Sequence, residues 1–440
     1  MRRALILFLL LVGMGLIRPL GHEVPSSESL LAFGFLILAA YTVGEIASGV
    51  GLPKLVGYII AGILFGPAAL QTVSEDVVLR LGSVNQLAVA LIAFMAGAEL
   101  KWQDVRERGI GYTRVILTEM PLVFGVLVAV LFAVRGYIPA LQGEPPLRAL
   151  VFALLLAAIL AAHSPAATLG LLTETRARGP VSQTTLGVVL VSDVFLILLF
   201  TLAATVSRAI VPPPGLVQPP GALLVIWEIS GALVVGSVMG AIIALYLRFI
   251  HRDLLLFGII VALLGAELAR LAHVEVLLTL LTAGFVMENF TPDGAGEALR
   301  HAVERAAAPV FVVFFALAGA SVQVAEVVAL GWLVIPLALV RGVTIWGGTA
   351  IGARWAGLAP VERRYLWMGL ISHAGVAIGL ASLAASVYPE LGATVAAVAL
   401  AIIPLNQLIG PILFKRALAA AGEIPAVVES AEHESVNMRA

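Results

Sequence analysis

Two opposite charges stand inside long apolar stretches of this 440-residue sequence. Asp193 lies within "GVVLVSDVFLILLF", and Arg341 lies within "LALVRGVTIWGG". A carboxylate can hold either a proton or a metal cation, so an acid in such a place can serve as an ion or proton site. Two buried opposite charges can also offset much of one another's desolvation cost as a purely structural ion pair.

The composition indicates the surroundings of these charges. The chain is 61% hydrophobic and 12% charged, whereas soluble domains have about 25% charged residues. Apolar runs of about 20 residues recur along it, long enough to cross a ~30 Å hydrocarbon core as helices. We therefore predict an all-α polytopic membrane protein with about 13 transmembrane helices, in which intramembrane acids usually mark ion or proton pathways. The absence of cysteine excludes thiolate metal sites and cysteine nucleophiles.

The chain divides into three parts. Residues 1–20 resemble a signal peptide or an extra N-terminal helix, because two arginines precede a short apolar run. Residues 21–416 form the predicted transmembrane domain, with halves at about 29–209 and 222–416 joined by a proline-rich loop, and residues 417–440 form a short tail. Most of the 26 lysines and arginines fall on one side of the predicted helices, which predicts that this side and the C-terminus are cytoplasmic.

Two predicted helices contain internal breaks. His163, Ser164 and a proline interrupt Leu147–Leu172, while Ser372, His373 and Gly375 interrupt Tyr365–Val387. Proline removes a backbone donor, and unwound backbone in a membrane helix frees carbonyls that can bind a cation. The first break directly precedes the Asp193 helix and the second directly follows the Arg341 helix, which favours an inverted repeat around a central transport site.

An ordered set of segments resembles a known family. It comprises "GLPKLVGYIIAGILFGP", "AFMAGAELKWQDVRERG", "HSPAATLGLLTE", "GVVLVSDV" and "SHAGVAIGLA". Together they resemble the monovalent cation:proton antiporters, in the bacterial sodium/hydrogen exchanger and Kef-like branch. The resemblance implies an inverted-repeat fold of thirteen helices, a homodimer in the bacterial inner membrane, and transport of H⁺ and Na⁺ or K⁺ without a cofactor or enzymatic reaction.

The resemblance also implies roles for single residues. Asp193 matches the acid that carries the transported ion, and Ser192 stands where electrogenic members have a second acid. Ser164 matches a hydroxyl near the ion, and Arg341 matches a basic residue that pairs with the missing first acid. With one acid at the site, we predict electroneutral exchange of one proton per cation.

Several assignments stay open at this stage. The partner of Arg341 is Glu228, Glu119 or Asp193 itself. His163 and His373 either sense pH or are hydrogen-bonded structural groups, and His163 is also a candidate at the ion site. The segment "KWQDVRERG" is predicted to be a solvated loop.

Other functions fit parts of the pattern. A Kef-type, channel-like K⁺ efflux protein and a Na⁺-coupled organic-anion symporter share the broken helices. An intramembrane aspartyl protease needs two facing carboxylates, whereas Asp193 is the one aspartate within a predicted span. A serine protease could combine Ser164 with His373, but nothing in the sequence orients the histidine.

Overall fold

The computed structural model describes residues 25–425 except for 101, 212–221, 250–253, 275, 292–298, 300–308, 310, 323, 325–327, 329, 374–376, 378–379, 382–383 and 385–387. A few further side chains within helices, among them that of Glu228, also lie outside the description. The predicted N-terminal segment, residues 1–20, falls outside it as well.

The described part of the chain consists of helices and turns. The longer helices are α1 (Pro25–Gly49), α2 (Lys54–Phe65), α3 (Glu75–Arg80), α4 (Gly82–Glu99), α5 (Trp102–Ala133), α6 (Pro146–Leu160), α7 (Pro165–Thr175), α8 (Pro180–Ile210), α9 (Ala222–Phe249), α10 (Leu254–Leu271), α11 (Val276–Phe290), α12 (Phe311–Ala320), α13 (Gly331–Trp355), α14 (Pro360–Gly369) and α15 (Pro389–Ala420). Within the described residues, seven spans are long and apolar enough to cross a membrane. The predicted all-α polytopic class is confirmed, while the count of thirteen and the two halves remain predictions.

The helices form two bundles, each around its own apolar cluster. The core bundle consists of α5, α6, α8, α13, α14 and α15. The scaffold bundle consists of α1, α2, α4, α9, α10, α11 and α12. Helix α7 follows α6 in the chain but packs its buried residues Ala167, Leu169 and Leu171 into the scaffold cluster. The first predicted broken helix therefore passes from one bundle to the other.

Glycines bring α5 and α13 unusually close together. A Cβ atom at Gly348 would lie 2.6 Å from Cα of Glu119, and one at Gly352 would lie 2.7 Å from Cα of Val115. This small-xxx-small spacing lets two membrane helices approach along their backbones. Thr118 Oγ1 also lies 3.2 Å from the carbonyl oxygen of Gly348. As a result, Glu119 and Arg341 lie on two closely packed helices.

The first break lies where the sequence predicts it. Helix α6 ends at Leu160, and α7 begins at Pro165, a residue suited to the first helical position because its missing N–H has no partner there anyway. The Ser164 hydroxyl accepts from the amide of Ala167 at 3.1 Å and so caps α7.

The second break follows α14. This helix begins at Pro360, five residues before the predicted span, and ends at Gly369. Residues 371–373, including Ser372 and His373, are not helical. Gly375 lies outside the described residues.

The prediction of a loop at "KWQDVRERG" is wrong, because α5 begins at Trp102 and includes most of it. Glutamine, glutamate and arginine are good helix formers, and no proline interrupts the segment. This charged segment therefore extends α5 by additional helical turns before its apolar part.

Near the C-terminal end of the described chain, a glutamate caps the first turn of α8. Both carboxylate oxygens of Glu423 accept main-chain N–H groups, from Val181 at 2.6 Å and from Ser182 at 2.7 Å. Gly179 leaves room for this carboxylate, since a Cβ there would lie 2.4 Å from Cδ of Glu423. The negative charge suits the N-terminus of the helix that carries Asp193.

Candidate functional site

Arg341 lies in the middle of α13 and is completely buried. Its Nε donates to the carbonyl of Leu160 at 2.6 Å, and its two terminal nitrogens donate to Ala162 and Ile371, each at 2.7 Å. Leu160 and Ala162 belong to the first helix break, and Ile371 belongs to the second. One guanidinium therefore joins the two interruptions.

The charge of Arg341 suits the groups that it contacts. Helix α6 ends at Leu160 and α14 ends at Gly369, so the unpaired carbonyls of two helix C-termini point into this region. Such ends carry partial negative charge, and a planar guanidinium can donate to several carbonyls at once. Arg341 thus satisfies main-chain acceptors that would otherwise be left without donors inside the protein.

His163 makes a second link between the breaks. Its Nδ1 lies 2.8 Å from the carbonyl of Leu370, and its Nε2 lies 3.2 Å from Oε2 of Glu119. Both side chains are 1% exposed, so the His163–Glu119 pair is shielded from water. The Glu119 side chain of this pair also interacts electrostatically with Arg341.

The hydrogen-bond geometry fixes the proton content of this pair. A carbonyl only accepts, so Nδ1 of His163 must carry a proton toward Leu370. The contact between Nε2 and Glu119 then needs one further proton, held as an imidazolium–carboxylate pair or as an imidazole–carboxylic acid pair. Without it, a nitrogen lone pair would face a carboxylate oxygen in a buried site, at a high desolvation cost. Oε1 of Glu119 has no hydrogen-bond partner among the described residues.

His373 has a different environment. Its Nδ1 lies 3.0 Å from the amide nitrogen of Asn406, and its carbonyl accepts from Gln407 at 3.3 Å. An amide nitrogen donates, so Nδ1 of His373 is the acceptor and the ring is neutral, with its proton on Nε2.

Sequence reasoning missed Asn406 and Gln407. Both are buried in α15, where they hold the second break. The signal that could have found them is "IIPLNQLIG", in which two adjacent amides interrupt an apolar run beside a proline. Polar residues within membrane helices are costly and usually have a defined partner.

The predicted ion ligands lie on two elements. Ser192 is buried in α8 and donates to the carbonyl of Val189 at 2.7 Å, and its neighbour Asp193 is partly buried. Ser164 lies at the first break as the cap of α7. Of the three carboxylates considered as partners of Arg341, Glu119 lies within its electrostatic reach, while the guanidinium itself bonds to carbonyls. The side chain of Glu228 lies outside the description.

Comparisons with known proteins agree with one another. The sequence profile of a family described as "Sodium/hydrogen exchanger, transmembrane" matches residues 34–419. The Na(+)/H(+)-K(+) antiporter GerN of Bacillus cereus is 23% identical over 374 residues, which cover 80% of this chain and 87% of that protein. The structure of the sodium proton antiporter MjNhaP1 from Methanocaldococcus jannaschii superimposes with a TM-score of 0.64 at 16% identity, covering 90% of this chain and 98% of that one.

Proposed function

Because this chain belongs to the sodium/hydrogen exchanger family of membrane cation:proton antiporters, we propose that it exchanges protons for Na⁺ or K⁺ with Asp193 as the shared carboxylate. The observation that carries the proposal is the meeting of two helix breaks around Arg341, on helices packed against the Asp193 helix. Interrupted helices that meet inside a membrane protein are the usual setting of a transported ion.

The hydroxyl oxygens of Ser192 and Ser164 suit a monovalent cation. Ser192 gives its hydroxyl proton to Val189, so the lone pairs of its oxygen stay available to an ion. The Ser164 oxygen accepts one N–H and keeps a second acceptor position. We propose that these hydroxyls and the carboxylate of Asp193 supply hard oxygen ligands of the kind that hard cations prefer.

Competition for one carboxylate produces obligatory exchange. Asp193 is neutral with a proton bound and forms a neutral pair with a monovalent cation, and both states can move through an apolar environment. The empty carboxylate is charged, and a charge in the middle of a membrane helix costs at least ~2.5–3.5 kcal/mol. One proton therefore leaves for each cation that enters, and the cycle carries no net charge.

The His163–Glu119 pair has a separate part in this proposal. Both ring nitrogens of His163 already have partners, so it is not a direct cation ligand. We propose that the pair holds the first break in place. The positive charge of Arg341 likewise stabilises the carbonyls at the two helix ends. Asp193 is then the group that exchanges its proton.

The remaining expectations derive from family resemblance. We propose a homodimer in a bacterial inner membrane with the C-terminus in the cytoplasm, and no resident cofactor. The transported ions are substrates. Glu228 stays a candidate counter-charge on α9.

The first experiment is exchange in liposomes that contain the purified protein and a pH-sensitive dye. Na⁺, K⁺ or Li⁺ is added in turn, and the change of internal pH is recorded for the parent protein, for Asp193→Asn and for a control, Asp76→Asn. The Asp76 carboxylate suits a control because it is exposed and paired with Arg80. We expect cation-dependent proton movement that Asp193→Asn abolishes and Asp76→Asn retains. Movement that persists in Asp193→Asn would refute Asp193 as the carrier. Uptake of an organic anion with Na⁺, without proton movement, would favour the symporter instead.

A further inference from the structure

A set of polar contacts joins α7 and α15 to the start of α2 in the scaffold bundle, at one face of the molecule. Both carboxylate oxygens of Glu174, in the last turn of α7, accept the main-chain N–H of Lys54 at 3.0 and 2.9 Å. Nζ of Lys415, in α15, lies 3.3 Å from the carbonyl of Gly51 and 3.4 Å from that of Leu52. The Lys54 ammonium also pairs with Glu45 of α1. We call Lys54, Glu174 and Lys415 the clasp.

The clasp connects the elements that follow or hold the two helix breaks to the scaffold bundle. Glu174 ends the segment that begins at the first helix break, and Lys415 lies in the helix that holds the second break through Asn406. Lys54 and the turn before it start α2 of the scaffold bundle. The ammonium groups of Lys54 and Lys415 both attract the Glu174 carboxylate, against the cost of burying most of it.

Apolar packing seals the region beneath the clasp. Gly170 of α7 lies against Leu55 of α2 and Phe311 of α12, where a Cβ would be 3.2–3.3 Å from their side chains. Ala167, one turn nearer the break, is 2% exposed within the same cluster. Side chains of α7, α2 and α12 are therefore in close contact between the first helix break and the clasp.

We propose that the clasp is the lock of the conformation in which the ion site is closed to this face, and that it opens once in each transport cycle. The inference rests on the proposed function in one respect, since an exchanger must expose its site to each side of the membrane in turn. Opening toward this face requires α7 and α15 to separate from α2, which breaks the bonds of Glu174 and Lys415.

The chemistry of the clasp suits a reversible lock. Its donors and acceptors lie at a partly exposed surface, so water can replace each hydrogen bond when the bundles separate. The carboxylate of Glu174 caps the N-terminus of α2 in the closed state, where partial positive charge adds to the attraction. The lock thus favours one conformation without making the other inaccessible.

The test uses the natural absence of cysteine from this chain. Ala167→Cys and, separately, Leu55→Cys place a thiol in the sealed region, and a membrane-impermeant thiol reagent is then applied to the purified full-length protein. Local fraying of α2 would expose only position 55, whereas separation of the bundles exposes both. Glu174→Ala and Lys415→Met are each combined with both reporters, and Glu107→Ala, an exposed carboxylate on α5, is the matched control.

We expect slow labelling of both reporters in the parent, and roughly tenfold faster labelling of both when Glu174 or Lys415 is replaced, from the loss of charge-assisted hydrogen bonds. Glu107→Ala should leave both rates unchanged. Unchanged rates in the clasp variants, or faster labelling at position 55 alone, would overturn the inference. If Glu174→Ala does not fold, Glu174→Gln retains one acceptor and should give an intermediate rate. Labelling requires no transport, so absence of cation:proton exchange in the parent would refute the proposed function and leave this test intact.

Discussion

Arg341 and His163 explain how interrupted helices can exist inside this protein. Their side chains donate to four carbonyls that the two breaks leave without helical partners, at Leu160, Ala162, Leu370 and Ile371. The same polar atoms would each cost several kcal/mol in an apolar environment without a donor. A residue with the charge of Arg341 was predicted to face a carboxylate, but its hydrogen bonds go to main-chain oxygens.

The two histidines should behave alike in one test of pH sensing. We expect His163→Gln and His373→Gln each to leave the midpoint of the pH dependence of exchange unchanged. Both ring nitrogens of His163 are engaged, by Leu370 and Glu119, and Nδ1 of His373 accepts from Asn406, so we expect both histidines to have structural roles. The measurement is initial exchange rate against pH in liposomes, with thermal stability followed in parallel. A displacement of about one pH unit, equivalent to ~1.4 kcal/mol, in either variant would show that the histidine titrates during turnover.

At the scale of helices, close packing of α5 on α13 positions the buried charges. Gly348 and Gly352 form the contact surface on α13, and Val115 and Glu119 lie opposite. This contact sets where the Glu119 carboxylate meets His163 and how near it lies to Arg341. A change of backbone distance here would therefore alter the site without touching a site residue.

Adjacent glycines on α13 give a matched pair of variants. Gly348→Ala should destabilise the protein by about 1–3 kcal/mol, because the new Cβ would lie 2.6 Å from the Cα of Glu119 and the helices must separate. Gly347→Ala should be neutral or stabilising, because its nearest neighbour is 3.9 Å away and alanine favours a helix by about 1 kcal/mol. Thermal unfolding in detergent and exchange activity measure both effects. Equal losses in the two variants would contradict the close-packing argument.

At the scale of the whole molecule, the feature that bears on transport is the division of the helices into two bundles. The core bundle contains Asp193, Arg341, Glu119 and both helix breaks, while α7 and the end of α15 pack into the cluster of the scaffold. In the proposed transport cycle, movement of one bundle against the other would change which face of the membrane has access to the site. The clasp is the polar part of that contact.

Net charge movement tests the cycle as a whole. We expect a membrane potential imposed without a pH gradient to drive no cation uptake, because one proton leaves Asp193 for each monovalent cation that binds. The measurement is cation flux into liposomes with a fixed diffusion potential, and a pH gradient of matched driving force is the positive control. Flux driven by potential alone would mean that a second charge moves, and the His163–Glu119 pair would then be the first group to investigate.

The sequence by itself determined the class of protein, the family and the places of the breaks. Apolar runs predict membrane helices because the hydrocarbon core excludes unpaired backbone. Pro165 predicts the first break because it has no N–H to donate and its ring clashes with the carbonyl four residues earlier. The ordered motifs were enough to predict the antiporter family that the comparisons then supported.

Tertiary structure alone decided which groups meet. Three contacts join residues far apart in the chain: Arg341 with the carbonyls of the breaks, His163 with Glu119, and Asn406 with His373. No local sequence pattern specifies the rotation and depth of the helices that carry them. The clasp between Lys54 and Glu174 spans 120 positions and depends on how two bundles lie against each other. Local sequence sets where a helix begins and ends, but contacts between helices depend on packing that every neighbouring side chain helps to determine.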